Sequence, residues 1–244
     1  MLERATIDLD LIQSCLDYTD LSDPPQHETF VSLCEKAKSI KPFVAAVCVW
    51  PEFVAEAASR LAETSIEIAT VVNFPSGKMT NEEIRDQIAF CLNEGATEID
   101  IVIPYQVILS GANLDLKTWI VNIKSQLPNS IPLKVILESG AFDNLDLLKR
   151  VSLDVIQGGV DMLKTSTGKI AKGASLEAVR VMAEAIAESG ANVGLKISGG
   201  VREVDQALSY VQLVQSILGA DYIQPKLFRI GASQLLEKII ASKR

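Results

Sequence analysis

Residues 161–169 read DMLKTSTGK, and the placing of Lys164 in this run decides the fold. Side chains alternate across a strand, so in DMLKTS the lysine lies on the face opposite Leu163. The pattern recurs in two other apolar runs. In LKVILES, 133–139, Lys134, Ile136 and Glu138 share one face and Leu133, Val135 and Leu137 the other. In VGLKIS, 193–198, Lys196 shares a face with Gly194 and Ser198, against Val193, Leu195 and Ile197. In TEIDIVI, 97–103, Asp100 opposes Ile99 and Ile101. Each run has one uninterrupted apolar face, suited to packing against helices, and one face that carries charge. One strand-end lysine ordinarily snorkels to solvent. Three consecutive strands with a lysine on the non-helix face point instead to the inside of a barrel, where charge is costly unless paired or functional.

Working outward, the other strand candidates are SCLDYT, FVAAVCVW, IEIATVVNF and a weaker run near PKLFRI. Helical patterns lie between them. TNEEIRDQIAFCLNEG opens with Thr80 and has Glu83 three residues on, a capping box, with Gly95 to close it. SLEAVRVMAEAIAESG starts at Ser175 and stops at Gly190 in the same style. Eight strands alternating with helices, without a compositional break or linker, predict one α/β domain over 1–244. Its expected form is a single (β/α)8 TIM barrel with a short N-terminal helix.

The formal net charge is -8, with 48% hydrophobic and 22% charged residues. Such an acidic chain without a basic stripe excludes non-specific nucleic-acid binding, and any anion site must be made locally. Cys15, Cys34, Cys48 and Cys91 form no CxxC pair and no zinc-knuckle spacing. MLERATIDLDLI lacks the apolar core of a signal peptide, and no apolar run approaches the roughly 18 residues of a membrane span. A reducing cytoplasm, with the cysteines as thiols, is the expected setting. His27 is the only histidine and belongs to an early surface helix, so no metal is expected. Tyr105 and Trp119 are expected to pack.

Lysines held close together supply a mechanism. A neighbouring cation disfavours protonation, so Lys196 can lower the pKa of Lys164. A neutral Lys164 attacks an aldehyde or ketone and forms a Schiff base, whose protonated imine is an electron sink for C–C bond making or breaking. Asp100, with Lys196 and a water, can move the protons. The reading needs no cofactor. Three glycine-rich turns point to phosphate: Gly168-Lys169, the SGGVR run with Gly199 and Gly200, and Gly231-Ala232-Ser233, which is expected to follow strand eight and open a helix. STGK is no Walker A motif, because the leading glycine is absent and Ile170 stands where magnesium would be held. Asp17 and Thr19 end strand one on one face, either binding substrate polar groups or held by a satisfied hydrogen bond at the barrel mouth. Cys48 ends strand two, either facing the pocket or packing as a small hydrophobe.

These residues fall in a set that resembles the deoxyribose-phosphate aldolase family, class I aldolases of the TIM-barrel type. The set runs LDYTDL at 16–21, VCVWP at 47–51, NFPSG at 73–77, EIDIVIPY at 98–105, LKVILESG at 133–140, LKTSTGK at 163–169, LKISGGVR at 195–202 and FRIGAS at 228–233. The resemblance implies reversible cleavage of 2-deoxy-D-ribose 5-phosphate to D-glyceraldehyde 3-phosphate and acetaldehyde, in deoxyribose phosphate catabolism. It implies Lys164 as the Schiff-base lysine, Lys196 as the lysine that perturbs it and Asp100 as the partner in proton transfer. Lys134 matches the further active-site lysine, and Thr167 joins Asp17, Thr19 and Cys48 on the substrate side. Gly168, Lys169, Gly199, Gly200, Gly231 and Ser233 would hold the phosphate. A homodimer acting on a small phosphosugar is implied, with no nucleic-acid or membrane partner. Two features depart from relatives. The chain ends LLEKIIASKR without the tail tyrosine of some members, so water with Asp100 and Lys196 is expected to serve. KISGG replaces KPAGG or KASGG, with Ile197 expected to point outward. Competing readings are another Schiff-base aldolase and a non-catalytic sugar-phosphate-binding barrel.

Overall fold

In the computed structural model, which describes residues 8–243, eight parallel strands close into a barrel in sequence order. They are β1 Leu16–Asp20, β2 Ala46–Val49, β3 Glu67–Val72, β4 Glu98–Val102, β5 Leu133–Ile136, β6 Met162–Lys164, β7 Gly194–Ser198 and β8 Phe228–Ala232. A short helix, α1 Leu9–Ser14, precedes the first strand. The helices that follow are α2 His27–Ser39, α3 Val54–Leu61, α4 Asn81–Asn93, α5 Tyr105–Leu109, α6 Leu116–Lys124, α7 Leu145–Gln157, α8 Leu176–Ser189, α9 Val204–Leu218 and α10 Leu235–Ser242. No helix among the described residues is long and apolar enough to cross a membrane.

Local chemistry sets the helix ends. Thr80 Oγ1 accepts the Glu83 N–H at 3.3 Å, and the Glu83 carboxylate accepts the Thr80 N–H at 2.7 Å, so the expected capping box forms. Ser175 caps α8, and Gly190 ends it in the left-handed conformation.

Several strand boundaries differ from the sequence reading, among them those of β1 and β8. β1 starts at Leu16 rather than Ser14, because the Cys15 N–H closes the last turn of α1 onto Leu11 and Ile12. β8 runs further than PKLFRI. Its Gly231 pairs with both Asp17 and Ser198, so Gly231 and Ala232 extend the strand rather than follow it.

The period-two alternation holds around the barrel. Leu133, Val135, Ile99, Ile101, Leu163, Leu195 and Ile197 are buried in the large apolar layer between strands and helices. A second, small cluster of Leu21, Ala46, Cys48, Ala69 and Val71 fills the inside behind β2 and β3. Asp17, Glu98, Asp100, Lys134, Lys164, Lys196 and Arg229 are buried on the inner faces of the other strands. Leu195→Ala, which empties part of the outer layer, is expected to destabilise the barrel by about 2–5 kcal/mol. Urea denaturation reads this, and a loss well under 1 kcal/mol would mean that this face is not tightly packed.

Candidate active site

The register of the strands assembles a buried ionic column. Asp100 on β4 lies beside Lys134 on β5, and Lys164 on β6 beside Lys196 on β7, which in turn pairs with Arg229 on β8. One carboxylate sits at the centre. Asp100 Oδ2 accepts from Lys164 Nζ at 2.7 Å and from Lys196 Nζ at 2.7 Å, while Oδ1 accepts from Lys134 Nζ at 2.9 Å. Asp17 takes Lys196 at 2.5 Å and Arg229 at 2.6 Å. Glu98 takes Arg229 at 2.8 Å and Lys134 at 2.6 Å. All these groups are buried.

Three carboxylates therefore face four basic side chains. A dry interior tolerates a balanced set far better than an excess charge, and balance here requires one uncharged amine. Lys164 has one ion-pair partner among the described residues, whereas Lys196 and Arg229 have two each and Lys134 has three. The pKa directions agree. Burial pulls Lys164 below the ordinary lysine value, and the Lys196 cation adds to this against the pull of Asp100. Burial acts on Lys196 too, but Asp100 and Asp17 override it and hold that amine well above the ordinary value. Burial likewise opposes ionisation of Asp100, and the three lysines outweigh it, leaving the group well below the usual carboxylate range.

Above the column opens a cavity of about 310 Å³ at the C-terminal end of the strands. Lys164 lies on its floor. Thr19, Thr167, Gly168, Lys169, Gly199, Gly200, Gly231 and Ser233 line it as well. Asp17, Asp100, Lys134 and Lys196 do not line it and form the layer beneath. Cys48 is wholly buried in the small apolar cluster, with burial raising its thiol pKa. Thr19 Oγ1 donates to the Asp17 carbonyl at 2.8 Å.

The cavity rim is made for an anion. Lys169 and Arg202 both line it, and neither has a carboxylate partner among the described residues. The Lys169 amine donates to the Leu21 carbonyl and lies 5.6 Å from the Trp50 ring. No side chain caps the N-terminus of α10, which begins two residues after the rim residue Ser233. Backbone packing shapes this wall. A Cβ on Gly173 would come within 2.1 Å of the Gly199 carbonyl oxygen, so the turns after β6 and β7 touch main chain to main chain. A Cβ on Gly231 would come within 3.1 Å of Lys196 Cε, so this glycine also makes room for the lysine stem.

Sequence reasoning missed Arg229, Glu98 and Arg202 as site residues. Glu98 shares the face of Asp100, and Arg229 that of Gly231, so the alternation carried both signals. Arg202 closes the SGGVR run. Glu138 departs from the predicted strand face: β5 ends at Ile136, and Glu138 takes a left-handed backbone with φ 54°. His27 opens α2 at the surface, 2.8 Å from Glu56. Tyr105 is buried, and Trp119 packs partly buried with its Nε1–H on Asn81 at 3.2 Å.

Comparison with known proteins matches this arrangement. The family model described as DeoC/LacD family aldolase spans residues 14–237. The deoxyribose-phosphate aldolase of Agrobacterium fabrum (strain C58) is 37% identical over 231 residues, covering 94% of this chain and 89% of that protein. A solved structure from Coccidioides immitis superposes with a TM-score of 0.84 at 26% identity, over 97% of this chain and 87% of that one. The deoxyribose phosphate aldolase from Aeropyrum pernix, described as tetrameric, shares the fold with a TM-score of 0.74 at 22% identity, over 97% and 92% of the two chains. The family model and the Agrobacterium relative each match nearly the whole chain, and the chain belongs to the DeoC/LacD aldolase family.

Proposed function

We propose that this aldolase cleaves 2-deoxy-D-ribose 5-phosphate reversibly into D-glyceraldehyde 3-phosphate and acetaldehyde, with Lys164 as the Schiff-base nucleophile. One observation carries the reading: the buried amine with a lowered pKa and the two unpaired rim cations open into the same cavity. The reacting carbon and the phosphate would each find the chemistry they need a few residues apart on one loop.

The neutral amine adds to C1 of the open-chain sugar, and loss of water gives the protonated imine. Removal of the C3 hydroxyl proton then breaks the C2–C3 bond. The electron pair passes into the imine, leaving an enamine on Lys164 and an aldehyde at C3. Protonation at C2 and hydrolysis release acetaldehyde and return the amine. Asp100, bonded to both Lys164 and Lys196, carries protons between them through a water, with Lys196 as the charged donor. Asp100 also holds the imine nitrogen once that nitrogen becomes cationic. Lys134 fixes the second oxygen of Asp100, and Asp17 keeps Lys196 protonated. Lys169, Arg202, Ser233 and the backbone of Gly168, Gly199, Gly200 and Gly231 would take the phosphate. Thr19 and Thr167 would meet the sugar hydroxyls. The apolar patch of Leu21, with Cys48 behind it, suits a substrate whose C2 bears no hydroxyl.

The homodimer belongs to the same proposal and is read by sedimentation, although the Aeropyrum enzyme is described as a tetramer. A cytoplasmic setting is supported by four buried free thiols.

Incubation with acetaldehyde and borohydride should leave a two-carbon adduct on Lys164 by mass spectrometry, and Lys164→Ala should abolish turnover while the barrel still folds. An adduct-free protein would sink the mechanism, and a coupled assay that favours another phosphosugar would overturn the substrate. The pH profile offers a second check. The amine must be neutral to attack, so adduct formation rises with pH through the Lys164 pKa, which lies below 10.5. Removing the Lys196 cation raises that pKa, so Lys196→Met should move the acid limb of the profile to higher pH. An unmoved limb would show that burial alone sets the amine.

A further inference from the structure

Glu138 has a position and a set of contacts that the mechanism above does not use. It is wholly buried, yet its backbone is left-handed, at φ 54° and ψ 53°. Glycine adopts this conformation freely and a long side chain does not. A residue held there against its preference points to a need for the side chain itself. The main chain on either side is anchored to β6 and its extension. The Leu137 N–H donates to the Lys164 carbonyl at 2.9 Å and the Ser139 N–H to the Thr165 carbonyl at 2.7 Å.

The Glu138 carboxylate reaches over that edge to a single residue. Its Oε1 accepts the Thr167 N–H at 3.2 Å, and its Oε2 accepts the Thr167 hydroxyl. The Thr167 oxygen in turn accepts the Lys169 N–H at 3.0 Å. Both donors of Thr167 are thus fixed by one anion, and the turn bearing Gly168 and Lys169 hangs from the result. The loops also meet further along, where a Cβ on Gly140 would come within 2.0 Å of the Lys172 carbonyl oxygen. The turn after β6 is therefore held from the β5 side by the carboxylate and from the β7 side by the Gly173–Gly199 contact.

We propose that Glu138 is a positioning residue for phosphate recognition: by gripping Thr167 it sets the Gly168-Lys169 turn that receives the phosphate, while among the described residues it makes no hydrogen bond or ion pair to Lys164. The proposal rests on the phosphosugar reading above. Glu138→Gln keeps the size of the side chain and one acceptor, but it turns an NH2 group toward the Thr167 oxygen. The hydroxyl hydrogen then loses its acceptor, so the grip that fixes the Thr167 oxygen under the Lys169 N–H is weakened.

The test compares Glu138→Gln with the unaltered enzyme on 2-deoxyribose 5-phosphate and on unphosphorylated 2-deoxyribose. On the phosphorylated sugar, kcat/KM should fall about tenfold, carried mainly by KM. On the unphosphorylated sugar it should hold within about twofold, and so should the acetaldehyde–borohydride adduct on Lys164. Binding of inorganic phosphate, followed by phosphorus NMR, should weaken in parallel, a readout independent of which phosphosugar is the substrate. Thr167→Val cuts the same tether from the other side, so the double variant should be no worse than the worse single one. Equal losses on both sugars, a lost adduct, unweakened phosphate binding or additive effects of the two changes would each overturn the proposal. A failure of the unaltered enzyme on deoxyribose 5-phosphate would instead strike the functional reading, leaving the phosphate-binding arm to judge Glu138.

Discussion

Everything in the barrel mouth depends on one buried carboxylate shared by three amines. Asp100 offers two oxygens to Lys134, Lys164 and Lys196, and all four groups are buried. An ion pair in a dry interior is stable only when its partners and hydrogen bonds are complete. Glu98 completes them from the same strand as Asp100, and Asp17 and Arg229 from β1 and β8. The residual mismatch of one base falls on the amine with the fewest partners. The lowered pKa of Lys164 is thus a property of the whole column and not of the lysine alone.

Barrel geometry makes this sharing possible. In a parallel sheet the alternation is strict, and closure aims every second residue of all eight strands at one axis. Residues far apart in sequence then meet at hydrogen-bond distance, as Asp17 and Arg229 do across 212 positions. The small inner residues of β2 and β3 leave the charged groups on one side of the axis, and Gly231 clears the path of the Lys196 stem. Burial of the outer leucines, isoleucines and valines against the helices supplies the stability that an interior of charge does not.

The alternation was legible because it is local. It placed the lysines and Asp100 inside, and it aimed Leu195 and Ile197 at the helices. Asp17 illustrates the limit. As a strand-end carboxylate it reads as a substrate ligand or a satisfied group at the mouth, and only the closed barrel reveals its three cations. Arg229 went unread because PKLFRI is a poor strand by composition, and its register is fixed by pairing with neighbours rather than by its own pattern. Glu138 marks a third kind of limit. Strict alternation puts it beside Lys134, but the strand stops two residues earlier, and a left-handed backbone turns its carboxylate to the next loop.

The stretch from Lys164 to Lys169 has to satisfy two opposed demands. An amine stays neutral in a dry, low-dielectric place, whereas an anion is best received where cations and free N–H groups remain available. Six residues separate the two regimes by leaving the strand. Lys164 ends β6 inside the column. Thr165 ties the strand end to Ser198, its hydroxyl donating to that carbonyl at 2.9 Å and accepting that N–H at 2.9 Å. From there the chain climbs out through Thr167 to an amine with no carboxylate beside it. In the proposed function, a sugar phosphate held by Lys169 at one end would present its far carbon to Lys164, so the loop that separates the two environments would also select which carbon reacts.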